Sequence, residues 1–178
     1  AKTDRRLYKS RADLGRGHKG MYDIENYYNA TTIKEAVTLL KEHPDTRVIS
    51  GGSDVLIKVR EGKMAGTSLV SIRDIKEIRG IQLMDSGDIY IGAATTFSHV
   101  TNDPVIQKWI PVLGEAVDQV GGPQVRNIGT IGGNVCNGAV SADSAPTLFS
   151  LNAMLRIADG TGGRMVPIKD FYLGPGRV

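Results

Sequence analysis

The stretch from Gly121 to Asp143 reads Gly-Gly-Pro-Gln-Val-Arg-Asn-Ile-Gly-Thr-Ile-Gly-Gly-Asn-Val-Cys-Asn-Gly-Ala-Val-Ser-Ala-Asp. It holds six glycines, one proline and three asparagines, but only two charged side chains, Arg126 and Asp143. A run so poor in charge is not an ordinary solvated loop. Glycines at this spacing let backbone N–H groups approach a ligand with no Cβ in the way. Successive N–H groups that face one point form a nest for an anion, most often a phosphate. The stretch therefore predicts a loop cradling a phosphate-bearing cofactor. On its own it leaves open a plain glycine-rich turn between strands.

A second stretch carries the same chemistry. Arg47-Val48-Ile49-Ser50 has the character of a short buried strand and runs straight into Gly51-Gly52-Ser53-Asp54. The two glycines expose backbone donors, and Ser53 adds a hydroxyl that can bond a phosphate oxygen. Asp54 cannot attract a phosphate by charge, so it must cap the following turn or bind a hydroxyl. A strand-to-helix turn without a ligand is the alternative here. No side-chain acid/base pair competes for a catalytic role, which suits a protein whose chemistry belongs to a bound cofactor.

At 178 residues the chain suffices for one domain or two small lobes sharing a core. No run approaches the roughly 18 apolar residues of a membrane span, and no signal-peptide core is visible near the start. The single cysteine, Cys136, excludes an internal disulfide and offers no metal cluster, which points to a cytoplasmic protein. The net charge of +3 has a local origin. Residues 1–20 hold seven Lys/Arg against two Asp (+5), whereas residues 21–178 hold fifteen against seventeen Asp/Glu (−2). The basicity thus sits in a polar leader, predicted to be irregular, and the body lacks the basic stripe of a nucleic-acid binder. The leader's Gly15-Arg16-Gly17-His18-Lys19-Gly20 matches G-x-G-x-x-G, but no strand precedes it, so the match is accidental.

Between these features the pattern mixes α and β. Thr32-Ile33-Lys34-Glu35 is a capping box ahead of an apolar stripe at Ile33, Ala36, Val37 and Leu40, and Pro44 closes that helix. Val55 to Val59 is a short helix or extended piece, and Leu69 to Ile72 a strand. Hairpins are expected from Ile81 to Ala94 and from Ala153 to Pro167. Thr96 to Val120 reads as two or three helical pieces broken at Pro104 and Pro111, and Ala145 to Leu151 as another. The expected class is α+β in two lobes, residues 21–74 and 75–178. His18, His43 and His99 show no metal-ligand spacing and read as surface residues. Cys136 reads as a small buried hydrophobe, and Arg126 is open between a phosphate and a subunit carboxylate.

The two motifs, Val48-Ile49-Ser50-Gly51-Gly52-Ser53-Asp54-Val55-Leu56 and Arg126-Asn127-Ile128-Gly129-Thr130-Ile131-Gly132-Gly133-Asn134, resemble the flavin-binding subunit of the xanthine dehydrogenase family. Asp143 in its Ser-Ala-Asp-Ser-Ala-Pro context and Gly174-Pro175-Gly176 extend the likeness from Met21 to the end of the sequence. It is closest to the bacterial form with separate flavin, iron–sulfur and molybdenum chains. The resemblance implies the two-lobed α+β fold shared with vanillyl-alcohol oxidase and p-cresol methylhydroxylase. Family members continue past Gly-Pro-Gly into further strands and a C-terminal domain that this sequence does not reach. It implies FAD as cofactor, with Arg47, Val48, Ile49, Ser50, Gly51, Gly52, Ser53 and Asp54 wrapping the pyrophosphate. Gly129, Thr130, Ile131, Gly132 and Gly133 would complete the cradle, Asn134 and Asn137 would lie beside the flavin, and Asp143 would hold a sugar hydroxyl. Implied partners are an iron–sulfur subunit, a molybdopterin subunit and NAD as acceptor, in purine or related N-heterocycle oxidation. A non-catalytic assembly module and a stand-alone FAD oxidase of the same fold are the alternatives.

Overall fold

The computed structural model describes residues 22–178. The expectations for the polar leader and its Gly15–Gly20 pattern lie outside the described residues.

The first part of the fold is a parallel three-stranded sheet. Its strands are β1 (Ile24–Asn29), β2 (Thr46–Ile49) and β3 (Thr67–Ser71), in the spatial order β1-β3-β2. β3 is central, and its Leu69 and Val70 are fully buried, as a strand covered on both faces requires. Helix α1 (Ile33–Glu42) connects β1 to β2, and α2 (Val55–Arg60) lies between β2 and β3. Ala30, Ala36, Val70 and Ile75 form the core here, with Ile33, Leu39 and Leu40 of α1 packed against it. Val37 faces elsewhere: it sits under Gly160 in the turn of a distant hairpin.

The start of α1 departs from the capping box by one residue. Thr32 Oγ1 accepts from the Glu35 N–H at 3.1 Å, but the Glu35 carboxylate takes the N–H of Thr31, at 2.8 Å, and its hydroxyl, at 2.9 Å.

The second part begins with an antiparallel hairpin of β4 (Ile81–Leu83) and β5 (Ile89–Ile91). Three short helices follow, α3 (Phe97–Asn102), α4 (Pro104–Trp109) and α5 (Pro111–Asp118). Pro104 and Pro111 each stand at the first turn of a new helix, where the missing N–H costs nothing. The chain then forms α6 (Pro123–Ile128), α7 (Ile131–Asn137) and α8 (Ser144–Ser150), the antiparallel pair β6 (Met154–Ile157) and β7 (Arg164–Pro167), and a last turn, α9 (Ile168–Phe171). Phe97, Val100, Ile106, Leu113, Val117, Ile131, Val135, Leu148 and Ile168 make the second core.

Two larger features also differ from the sequence expectation. β1 was not foreseen. The central glycine-rich stretch, expected as a loop, is largely helical.

Candidate functional site

In open parallel sheets, ligands bind beyond the carboxyl ends of the strands. Residues 50–54 follow the carboxyl end of β2 directly. Arg47, Val48 and Ile49 are ladder residues paired with Leu69, Val70 and Ser71 of β3. Arg47 and Val48 expose their side chains while Ile49 is buried, so these three form the frame from which the turn leaves. Beyond them, no acceptor among the described residues faces the N–H groups of Ser50, Gly51, Gly52, Ser53 or Asp54. Gly52 adopts φ +75°, the left-handed conformation that turns consecutive N–H groups to one side. Ser50 Oγ is buried and has no hydrogen-bond partner among the described residues. Native structures rarely leave a buried hydroxyl unpaired without a reason. This set of unpaired donors at a strand end fits a multiply charged anion such as a pyrophosphate.

The second motif meets the first backbone to backbone. A Cβ on Gly51 would overlap the carbonyl of Ile128 and come within 3.0 Å of the Gly129 nitrogen. Here the N–H groups are differently employed. Gly129 N–H donates to Val125 O at 2.6 Å, Ile131 N–H to Thr95 O at 3.0 Å and Gly132 N–H to Ala93 O at 2.9 Å. The Gly133 N–H donates to Thr130 Oγ1 at 3.2 Å, which caps α7. The stretch is a wall pinned to the segment after β5 rather than a free nest of donors. Gly132 is small because Ala93 occupies the space a Cβ would need, at 2.6 Å.

Beyond the wall, α7 presents Asn134 and Asn137 one turn apart. Asn134 Oδ1 accepts from Ser144 Oγ at 2.6 Å, and Ser144 is fully buried at the start of α8. Asn137 Oδ1 accepts from Lys58 Nζ at 3.2 Å. Lys58 also pairs with Asp54 at 2.7 Å, so Asp54 neither caps α2 nor stands free. Lys58 is the residue that sequence reasoning missed. Its i,i+4 spacing from Asp54 was visible, but its contact with Asn137 arises only from the fold. Asp143 is exposed, next to Ser144, and its side chain makes no cap for α8.

Two expectations for this stretch are settled by contacts. Arg126 is spent within the chain: it donates to Gly121 O at 2.8 Å and pairs with Asp118 at 3.1 Å. Cys136 is exposed rather than buried, although desolvation of its sulfur pushes the thiol pKa up. Among the described residues, no group of three or more His, Cys, Asp or Glu is placed to hold a metal, and no helix is long and apolar enough to cross a membrane. Two surface depressions, of about 320 and 300 Å³, lie away from the turn after β2, beside α4–α5 and below the amino end of the sheet.

A parallel sheet whose strand-end turn holds unpaired donors, closed by a glycine-pinned wall, is the architecture of a cofactor-binding domain. Residues 21–178 match the family described as the FAD binding domain in molybdopterin dehydrogenase, and the chain belongs to that family. It is 41% identical over 158 residues to the xanthine dehydrogenase FAD-binding subunit of Escherichia coli O157:H7, covering 89% of this chain and 54% of the relative. It is 33% identical to the nicotinate dehydrogenase FAD-subunit of Eubacterium barkeri, covering 88% and 53%. Among solved structures, carbon monoxide dehydrogenase from Hydrogenophaga pseudoflava superposes with a TM-score of 0.80 at 32% identity, over 84% of this chain and 52% of that one. The chain spans about half the length of the curated relatives it matches.

Proposed function

We propose that this chain binds FAD and serves as the flavin domain of a xanthine dehydrogenase-like molybdenum hydroxylase. The observation that carries the reading is the run of N–H groups from Ser50 to Asp54 without acceptors among the described residues, together with the Ser50 hydroxyl that likewise finds no partner there. These residues would hold the pyrophosphate. Gly129, Thr130, Ile131, Gly132 and Gly133 form the facing wall, and Asn134 and Asn137 offer side-chain donors beside the flavin. Asp143, exposed and without a cap to make, is available for a sugar hydroxyl. Held by these residues, FAD would supply the redox chemistry of an electron relay between iron–sulfur centres and NAD. The chain's part is to orient the cofactor and set its electrostatic surroundings.

On this reading an iron–sulfur subunit and a molybdopterin subunit are partners in a cytoplasmic complex. The relatives' names support that assignment. They span nicotinate, xanthine and carbon monoxide dehydrogenases, which supports the reading that substrate choice lies with the molybdenum partner.

The test is the visible spectrum of the purified chain after incubation with FAD and desalting. Retained flavin bands are expected. A chain that stays colourless favours a non-catalytic assembly module instead.

A further inference from the structure

Lys58 lies outside both motifs, yet it touches the first and the end of α7, the helix in which the second runs out. Its Nζ lies 2.7 Å from Asp54 Oδ2 and 3.2 Å from Asn137 Oδ1. Asp54 ends the run of unpaired donors after β2, and Asn137 ends α7. The geometry points to Lys58 as a positioning residue that prepares both elements for an anionic, acceptor-rich cofactor. The inference rests on the FAD reading above and adds a residue to it.

Its first effect is on the sign of the local field. The Asp54 carboxylate borders N–H groups that suit an anion, and unopposed it would repel one. An ammonium in contact cancels that charge. Both side chains are over two-fifths exposed, and exposed i,i+4 pairs add little to stability. What the pair changes is the field at the turn, not the firmness of the fold.

Its second effect is on Asn137. An ammonium has donors only, so the amide atom that faces it must be the carbonyl oxygen. An asparagine's orientation is settled by its neighbours, and this neighbour permits one answer. The Asn137 NH2 is thereby turned away from Lys58 and meets no acceptor among the described residues. Asn134, on the same face of α7, has its Oδ1 engaged by Ser144. Both amides then offer donors, as carbonyl and phosphate oxygens of a cofactor require.

The experiment measures FAD affinity by titration for the wild-type chain, Lys58→Met, Lys58→Arg and the double variant Lys58→Met/Asp54→Asn. Amide hydrogen exchange of residues 50–54 is followed in the same proteins without FAD. Lys58→Met is expected to weaken FAD about tenfold, the loss of a charge-assisted contact. Lys58→Arg retains most of the affinity. Adding Asp54→Asn to Lys58→Met restores binding, because it removes the carboxylate that Lys58 no longer neutralises; a purely structural lysine would show no such rescue. Base-catalysed exchange of the unpaired amides in residues 50–54 slows in Lys58→Met, where the Asp54 carboxylate is left unopposed, and not in Lys58→Arg. Wild-type affinity in Lys58→Met, or failure of Asp54→Asn to restore it, overturns the inference. Should the wild-type chain take up no FAD, the cofactor reading falls by itself. The exchange data then decide on Lys58: slowed exchange in Lys58→Met sustains its positioning role, and unchanged exchange overturns it.

Discussion

The Cα of Gly51 faces the carbonyl of Ile128 so closely that a methyl group on Gly51 would overlap it. This contact joins the turn after β2 to the end of α6. The α6 side cannot yield easily. The Gly129 N–H is held by Val125 O, and its carbonyl accepts from Phe97 N–H at 3.1 Å. The close approach of the motifs is therefore a backbone fit that only glycine allows at position 51.

Gly51→Ala should destabilise the chain by about 1–3 kcal/mol, the usual cost of forcing an atom into a packed site. Urea unfolding of the variant against wild type measures it. A midpoint that does not move would mean that the two motifs are not in contact.

Much of this arrangement was readable in the sequence, and what escaped has physical reasons. β3 was evident from its run of buried apolar residues, and the breaks at Pro104 and Pro111 followed from proline chemistry. β1 was missed because Ile-Glu-Asn-Tyr-Tyr-Asn carries little apolar signal; it is an edge strand, alternately half-buried and exposed. The helicity of α6 and α7 was hidden by the glycine and asparagine content of the stretch, yet its punctuation was present. Pro123 opens α6, Thr130 caps α7, and Gly138 ends it at φ +62°, as helix termini prefer. The glycines there were read as space for a ligand. For Gly132 the space belongs to Ala93, a constraint no local pattern encodes. The Lys58–Asn137 contact, spanning 79 positions, had no local signal at all.

Thr130→Ala removes the hydroxyl that accepts from Gly133 N–H and should cost about 0.5–2 kcal/mol, the range for loss of an N-cap. Thr130→Ser keeps the acceptor and should stay close to wild type. Thermal unfolding of the pair separates the cap from simple packing, since Ser loses the methyl but keeps the bond. Equal losses in both variants would assign the effect to packing.

Cys136 offers a pH-dependent readout. Desolvation holds its thiol above the ordinary range, so the folded state disfavours the thiolate that alkylation requires. Iodoacetamide should react more slowly with the native chain than with the urea-unfolded one at the same mildly alkaline pH. The linkage has a definite sign. The stability contribution is complete below the unfolded thiol pKa, about 8.5, and declines as pH rises toward the higher folded value, because the unfolded chain releases the proton first. Cys136→Ser should lessen that alkaline decline. Native alkylation as fast as in urea would contradict the desolvated thiol.

Asp143 gives the clearest separation of cofactor binding from folding. Aspartate before Ser-Ala-Pro has the sequence of a helix cap, and substitution would then lower stability. The structure removes that role: Asp143 occupies the cap position of α8 with helical backbone angles and no side-chain bond to the helix. Its carboxylate is exposed, and exposed groups without partners are usually replaceable within about 0.5 kcal/mol. Both Asp143→Asn and Asp143→Ala should therefore unfold at the wild-type urea midpoint without FAD. If the carboxylate accepts from a cofactor sugar hydroxyl, both variants lose affinity, Ala by about 1.5–3 kcal/mol and Asn by less, because its oxygen accepts more weakly. A ten- to hundredfold rise in dissociation constant corresponds to that range at about 1.4 kcal/mol per decade. Unchanged FAD affinity in both variants would remove Asp143 from the site, and loss of stability in Ala but not Asn would restore it as a cap.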